Sequence, residues 1–274
     1  MSAGGSKIKE YIVEITQFMR DHPERDTSIE QLAGRYGYSK YHFSREFKKI
    51  LGVSPNEYWA ALKMEQSFIE LEHSSILNAQ LKVGYQSTGT FATSFRKITG
   101  LTPSQYKEEL ENWHMCRHVK EYEEKGERIY THYSFDRKDL STMQANNLTV
   151  TCKFQGDFAG WIFVGLYPKF LSIGAPVLGK ALYKTNRCII DQIPNGEHYL
   201  GAFAIPSSNN LLTYFQSKFW LREFYRDVIR FPLEAPQQIE FVLREQKPTD
   251  LALTLNPMKL LFEAMRQDDC NSNS

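Results

Sequence analysis

The chain has 274 residues and only four cysteines, Cys116, Cys152, Cys188 and Cys270, which lie far apart. No CxxC pair occurs among them, so neither a disulfide framework nor a zinc knuckle is expected. Charge of one sign is lacking too: 33 Lys and Arg stand against 32 Asp and Glu, a net of +1. That total offers no hint of a nucleic-acid partner. No run approaches the ~20 consecutive apolar residues of a membrane helix. Met1–Lys7 holds no apolar core of a signal peptide. A Gly-rich phosphate loop, an HExxH motif and a G-x-S-x-G motif are all missing. The reading is of a reduced, cytoplasmic protein that is not an enzyme, with no cofactor, metal or membrane partner. The length suits two domains, and 42% hydrophobic residues argue against wholesale disorder.

What the sequence does contain is an internal repeat. Phe47-Lys48-Lys49-Ile50-Leu51-Gly52-Val53-Ser54-Pro55-Asn56-Glu57-Tyr58 recurs as Phe95-Arg96-Lys97-Ile98-Thr99-Gly100-Leu101-Thr102-Pro103-Ser104-Gln105-Tyr106. Ser39 and Phe43 match Ser87 and Phe91 at the same offset of 48, while Gly37-Tyr38 and Ile29 match Gly84-Tyr85 and Ile76 at 47. Identities that fall on core and turn positions together indicate two copies of one supersecondary unit. Each copy reads as helix, short turn, helix. Ser28 caps a helix whose Ile29, Leu32, Ala33 and Tyr36 share one face, and Gly37 ends it. Ser39 caps a second helix, Lys40 to Leu51, with Phe43, Phe47 and Ile50 turned inward; Gly52 closes it. This is the helix-turn-helix pattern. Ser54-Pro55-Asn56-Glu57 then opens a joining helix to about Glu72 with a capping box and an initial proline, and Thr102-Pro103-Ser104-Gln105 opens the last helix in the same way. Ile8, Ile12, Ile15 and Met19 mark an N-terminal helix ahead of the first unit.

Ser28–Lys107 resembles the DNA-binding domain of the AraC/XylS family of bacterial transcription regulators. The resemblance rests on F-x-K-x-x-G-x-S-P-x-x-Y and on G-Y-x-S-x-x-x-F-x-x-x-F-R-K-x-x-G-x-T-P-x-x-Y, and it covers about the first 40% of the chain. One departure is Ala79-Gln80, where the family usually has a large aliphatic residue and then Ala. The resemblance implies a sequence-specific regulator acting on double-stranded DNA. Residues 1–110 hold 14 basic and 13 acidic side chains, but the cations gather where DNA would sit. Lys40, Arg45, Lys48 and Lys49 share the first recognition helix with one acid, Glu46, and Arg96 and Lys97 share the second with none. In a helix-turn-helix, the N-terminal half of the second helix reads base edges. The resemblance therefore makes Tyr41, Ser44 and Arg45 base-contact candidates in the first unit, and Thr88, Thr90 and Thr93 in the second. Lys40, Lys48, Arg96 and Lys97 are the phosphate candidates; for Arg96, pairing within the domain is an equal alternative. His42 either contacts DNA or packs. The small residues of the second helix place most specificity in the first unit.

The rest reads differently. Glu108–Leu140 holds 9 acids and 6 bases and suggests a solvated helix followed by a connector through Tyr130–Leu140. After Asn147 come alternating, β-rich segments: Leu148–Phe154, Gly160–Leu166, Ala181–Lys184, Cys188–Ile193, His198–Ile205, Arg222–Phe231, Ile239–Leu243 and Leu251–Leu255, with a short helix at Pro257–Met265. The expected fold class is thus multidomain: an all-α N-terminal region with two helix-turn-helix units and a mainly-β C-terminal sandwich. The boundaries fall at 1–110, a charged helix and linker at 111–145, the β domain at 146–265 and a disordered tail at 266–274. The run from Gly160-Trp161 to Gly201-Ala202 resembles transthyretin-like or carboxypeptidase-regulatory sandwiches, in architecture only. Regulators of this type usually attach a domain for effector sensing or dimerisation. A small-molecule effector or a protein contact, and RNA polymerase, are accordingly further candidate partners, with the aromatic Asn209–Trp220 stretch as the candidate to line a pocket or meet a partner. Some such regulators are fused to repair methyltransferases, but neither Cys152 nor Cys188 has the Pro-Cys-His-Arg context.

Overall fold

A computed structural model describes residues 3–111, 123, 126–134, 147–170, 175–214 and 216–272. It divides into two compact units: residues 1–110 with 247–254, and residues 111–246 with 255–274. The expected charged helix after residue 111 lies mostly outside the described residues.

The first unit is helical. Its elements are α1 (Ala3–Asp21), α2 (Ile29–Gly34), α3 (Lys40–Leu51), α4 (Pro55–His73), α5 (Ile76–Lys82), α6 (Thr88–Thr99) and α7 (Pro103–Glu111). Serine starts most of them: Ser28, Ser39, Ser54, Ser75 and Ser87 each accept a hydrogen bond from the backbone N–H three residues on. These bonds satisfy donors that a helix start otherwise leaves open. The boxes at Ser28/Gln31, Ser54/Glu57 and Thr102/Gln105 are closed in both directions. Gly52 and Gly100 end α3 and α6 with φ of 78° and 79°.

Packing repeats as faithfully as capping. Phe43 and Phe47 lie 5.6 Å apart, and Phe47 meets Tyr58 edge-on at 5.6 Å. In the second copy Phe91 and Phe95 lie 5.7 Å apart, and Phe95 meets Tyr106 at 5.7 Å. Ile8, Ile12, Ile15 and Met19 bury one face of α1. The second core gathers Phe91, Phe95 and Tyr106 around Met64, Phe68 and Leu71 of α4. Gln80, where an apolar residue was the family habit, is buried, and its amide Nε2 donates to the Tyr85 carbonyl at 3.1 Å. The polar residue thus serves the turn it sits beside.

The second unit is β-rich. It comprises β1 (Arg128–Tyr133), β2 (Leu148–Lys153), β3 (Gly160–Tyr167), β4 (Leu178–Tyr183), β5 (Arg187–Ile190), β6 (Gly196–Pro206), β7 (Leu221–Phe224), β8 (Ile229–Phe231), β9 (Gln237–Val242) and a C-terminal helix, α8 (Pro257–Ser272). One sheet runs β1-β4-β3-β6-β7 with β8 also on β6; the other runs β5-β2-β9, its β2–β9 pair parallel. Val150, Cys152, Cys188, Ile239 and Phe241 of the smaller sheet share one core with Ile162, Val164, Leu182 and Ala202 of the larger.

Several expectations are corrected. The segment Tyr130–Leu140 is not all connector, because β1 pairs with β4 from Arg128 to Tyr133. Arg222–Phe231 is two short strands, not one. Leu251–Leu255 is not a continuous strand: only Thr254 lies in a β-bridge, and the Leu253 N–H donates to Glu65 of α4. Helix α8 continues past Met265 to Ser272, through residues read as a disordered tail. Among the described residues, no helix is long and apolar enough to cross a membrane.

Gly84 has φ +81°, and a Cβ there would lie 2.5 Å from the Glu24 carbonyl oxygen in the connector between α1 and α2. At Gly100, with φ +79°, an added Cβ would meet nothing within 4 Å. Gly100→Ala should lower stability by about 1–2 kcal/mol, the cost of a left-handed non-glycine residue. Gly84→Ala adds a backbone clash and should cost clearly more in urea unfolding. Equal losses would mean that the connector simply gives way.

Candidate nucleic-acid interface

The sequence sets how α3 presents itself. Phe43, Phe47 and Leu51 bury one face, which turns Tyr41, Ser44, Arg45 and Lys48 outward at three- and four-residue spacing. Tyr41 is 86% exposed, and Arg45 has 73% of its side chain in solvent. So exposed a tyrosine contributes nothing to the core. Ser44 is half-buried, and Lys40 and Lys48 are exposed. Arg45 is partly held in place: its Nη2 lies 3.3 Å from His42 Nδ1 and its Nε lies 3.7 Å from Glu46 Oε1. His42 also stacks on Tyr38 at 5.3 Å, so it orients Arg45 while packing against the turn. A guanidinium aimed in this way presents the fork that matches guanine O6 and N7.

In α6, Phe91 and Phe95 take the buried face. Thr88, Thr90 and Thr93 are exposed, as are Arg96 and Lys97. Among the described residues Arg96 makes no ion pair, which leaves its charge available to an external anion. The place of Tyr41 is taken in this copy by Gly89, and that of Arg45 by Thr93. The exposed N-terminal half of α6 therefore carries only small side chains, and its two cations follow in the last turn. All ten candidate residues from the sequence fall on the two capped helices, six toward the N-terminal half and four cations at the ends.

In the β-rich unit the described residues of the Asn209–Trp220 stretch do not line the cavity set out below. Trp220 stacks on Phe203 at 5.3 Å and its indole donates to the Thr213 carbonyl at 2.7 Å, so the segment is folded into the aromatic face of the sheet. A small cavity of about 30 Å³ does exist, between β1, β3, β4 and β6 and helix α8. Tyr130, Phe163, Tyr167 and Phe203 line it from the sheet, Leu260 and Leu261 from the helix. Its chief polar wall is His132, which burial holds below its ordinary pKa. Phe163, Tyr167 and Phe203 stand out as aromatics in the sequence, but Tyr130 and His132 were missed because β1 was not recognised; the alternation of exposed Ile129 with buried Tyr130 and His132 was the available signal.

Two helix-turn-helix units joined by α4, with exposed cations on their second helices, define a double helix-turn-helix DNA-binding domain. Residues 32–109 match a family model described as a helix-turn-helix domain, and they form one of the AraC/XylS type. The MmsAB operon regulatory protein of Pseudomonas aeruginosa is 33% identical over 95 residues, 34% of this chain and 31% of that protein. The Transposon Tn10 TetD protein of Escherichia coli is 29% identical over 109 residues, 38% of this chain and 79% of that protein. The chain thus spans about a third of the length of the first of these relatives. Among solved structures, the DNA-binding domain of AdpA in complex with a target DNA is similar at 24% identity, with TM-score 0.34, over 35% of this chain and 89% of that one. An AraC-type regulator from Chromobacterium violaceum is similar at 24% identity, with TM-score 0.35, over 40% and 98%.

Cys152 and Cys188 are buried in the β core, and burial pushes both thiols up to about 12. In the unfolded chain they ionise near about 8.5. The unfolded state therefore binds fewer protons above that pH, so the stabilisation that these thiols provide below it is lost as pH rises toward 12. The urea midpoint should fall between pH 8 and pH 10, and less so in a Cys152→Ala, Cys188→Ala double variant. An identical fall in the variant would assign the pH dependence to other groups.

Proposed function

We propose that the chain is a sequence-specific DNA-binding transcription regulator of a bacterium, acting in the cytoplasm, with α3 as its main reader of base edges. The observation that carries this is the exposure of Tyr41 and Arg45 on the N-terminal half of a helix whose other face is locked by Phe43 and Phe47. Arg45 makes a bidentate contact to guanine, Tyr41 offers its ring to a thymine methyl or its hydroxyl to a phosphate, and Ser44 completes the reading surface. Lys40, Lys48, Arg96 and Lys97 neutralise phosphates, while Thr88, Thr90 and Thr93 make lesser base contacts. Two such helices on one chain address successive major-groove segments, so an asymmetric site suits a monomer.

We read the two sheets around a single core as a sandwich that carries the regulatory input, an effector or a partner. RNA polymerase is a further candidate contact. A second reading, in which the β-rich unit only mediates protein interaction or dimerisation, is favoured by the size of its cavity: about 30 Å³ accommodates little more than water. Catalysis has no support, since thiols held near 12 are poor nucleophiles.

Selection of bound duplexes from a random pool by the full chain should return a defined site. Arg45→Ala should then weaken binding to that site by about 1–3 kcal/mol, or roughly 5- to 150-fold, and relax one base position. Lys48→Ala should weaken all sequences alike and flatten the salt dependence by about one counterion. Equal affinity for all sequences in wild type and Arg45→Ala would sink the readout.

A further inference from the structure

The helical unit contains a segment from the far end of the chain. Residues 247–254 belong to it, whereas Gln246 before them and Leu255 after them belong to the β-rich unit. Lys247 and Asp250 form a turn, the Asp250 N–H donating to the Lys247 carbonyl and the Lys247 N–H to the Asp250 carboxylate. Beyond that turn Leu251, Ala252, Leu253 and Thr254 are buried.

Thr254 lies in an isolated β-bridge, and three helical side chains also bind this backbone. Arg20 Nη2 donates to the Asp250 carbonyl at 2.6 Å. The Tyr58 hydroxyl donates to the Pro248 carbonyl and lies 3.2 Å from that of Asp250. Glu65 Oε1 accepts from the Leu253 N–H at 3.1 Å, and Glu65 Oε2 is paired with Arg20 Nη1 at 3.0 Å. Tyr58 and Glu65 are seven residues apart on α4 and so lie on one face two turns apart. Burial holds the Tyr58 phenol up at about 12, which keeps it a donor at every physiological pH.

The internal repeat supplies the comparison. Tyr106 occupies in the second unit the place that Tyr58 has in the first, with the same edge-on phenylalanine, but its ring stacks on Phe68 at 4.7 Å. The helix that holds it, α4, also supplies Met64, Phe68 and Leu71 to the core of the second unit.

We propose that Arg20, Tyr58 and Glu65 form a docking site for the backbone of Lys247–Thr254, and that its occupancy fixes the spacing of the two recognition helices through α4. The three are positioning residues: they touch the strap, and the strap holds the helix common to both units. Both ends of the strap continue into the β-rich unit, Leu255 lining its cavity. A change there reaches the docking site along the main chain. The inference rests on the DNA-binding reading only for its affinity measurement.

The test uses the full-length chain as wild type, Tyr58→Phe and Leu253→Pro. The first removes one oxygen and keeps the ring on Phe47; the second removes the N–H that Glu65 accepts. Hydrogen exchange without DNA should accelerate about tenfold or more in residues 251–254, and also in α4 and α6. On the selected duplex, the penalty for one base pair inserted between the two half-sites should shrink in both variants. A general loss of stability would lower binding to both duplexes alike and leave that ratio unchanged. Faster exchange confined to 247–254, or an unchanged ratio, overturns the proposal. If the wild type selects no duplex, the readout by α3 fails by itself, and the spread of exchange into α4 and α6 still decides the strap. Should Leu253→Pro not fold, Tyr58→Phe carries both measurements.

Discussion

The helical unit depends on one contact made twice, a phenylalanine of each recognition helix packed edge-on against the tyrosine that follows eleven residues later. Phe47–Tyr58 and Phe95–Tyr106 differ by only 0.1 Å in centroid separation. A helix-turn-helix of some forty-odd residues buries too little surface to stand alone, as about forty residues is where single cores fail. The tyrosine solves this by tying the recognition helix to the helix after it. In the first copy that helix is α4, whose Trp59, Leu62, Met64, Phe68 and Leu71 are buried along both flanks. The orientation of α3 is therefore set by packing that extends well beyond its own unit. Base readout requires such rigidity, because hydrogen bonds to base edges tolerate little misplacement.

On that scaffold, charge is arranged by position and not by amount. Duplication preserved the buried phenylalanines, the serine caps and the closing glycines, while the outward faces diverged. Tyr41 and Arg45 became Gly89 and Thr93 at equivalent places, yet the cations at Lys48 and Lys49 persist as Arg96 and Lys97. Packing residues and late-helix cations thus recur in both copies, whereas the outward residues of the N-terminal half do not. Glu46, within 4.0 Å of both Arg45 and Lys49, tempers the cationic face. A partly paired guanidinium loses less freedom when it binds a base, and so gains specificity more than raw affinity.

How much of this was legible in the sequence depends on what satisfies the backbone. Helix starts were legible because the partner is local: Ser28, Ser39 and Ser54 bond three residues away, within the reach of a motif. The glycine stops were legible for the same reason. The recognition face followed from the buried face, but the roles of Tyr41 and Arg45 came from resemblance, since exposure alone names no ligand. Leu251–Leu255 misled because alternating apolar residues report burial and not the identity of the hydrogen-bonding partner. The Leu253 N–H finds Glu65, 188 residues earlier, and the Asp250 carbonyl just before the segment finds Arg20 and Tyr58, 230 and 192 residues earlier. β1 was hidden by its charged surroundings, and the break between β7 and β8 by an apolar pattern that runs across both.

The buried Arg20–Glu65 pair explains why the far segment belongs where it is. A buried ion pair stabilises only when its remaining hydrogen-bonding capacity is met. Within residues 1–110, Arg20 has Glu65 and the Tyr58 hydroxyl as partners. The carbonyl of Asp250 takes the other guanidinium edge, and the N–H of Leu253 takes the second carboxylate oxygen. Remove those eight residues and the guanidinium and carboxylate lose the main-chain partners that Asp250 and Leu253 supply. The helical unit is thus complete in chemistry only when the chain has passed through the β-rich unit and returned. A duplicated fold that could have been closed twice by a stacked tyrosine has instead been closed once by its own distant backbone. That arrangement gives the remainder of the chain a covalent hold on the helix that both DNA-facing units share.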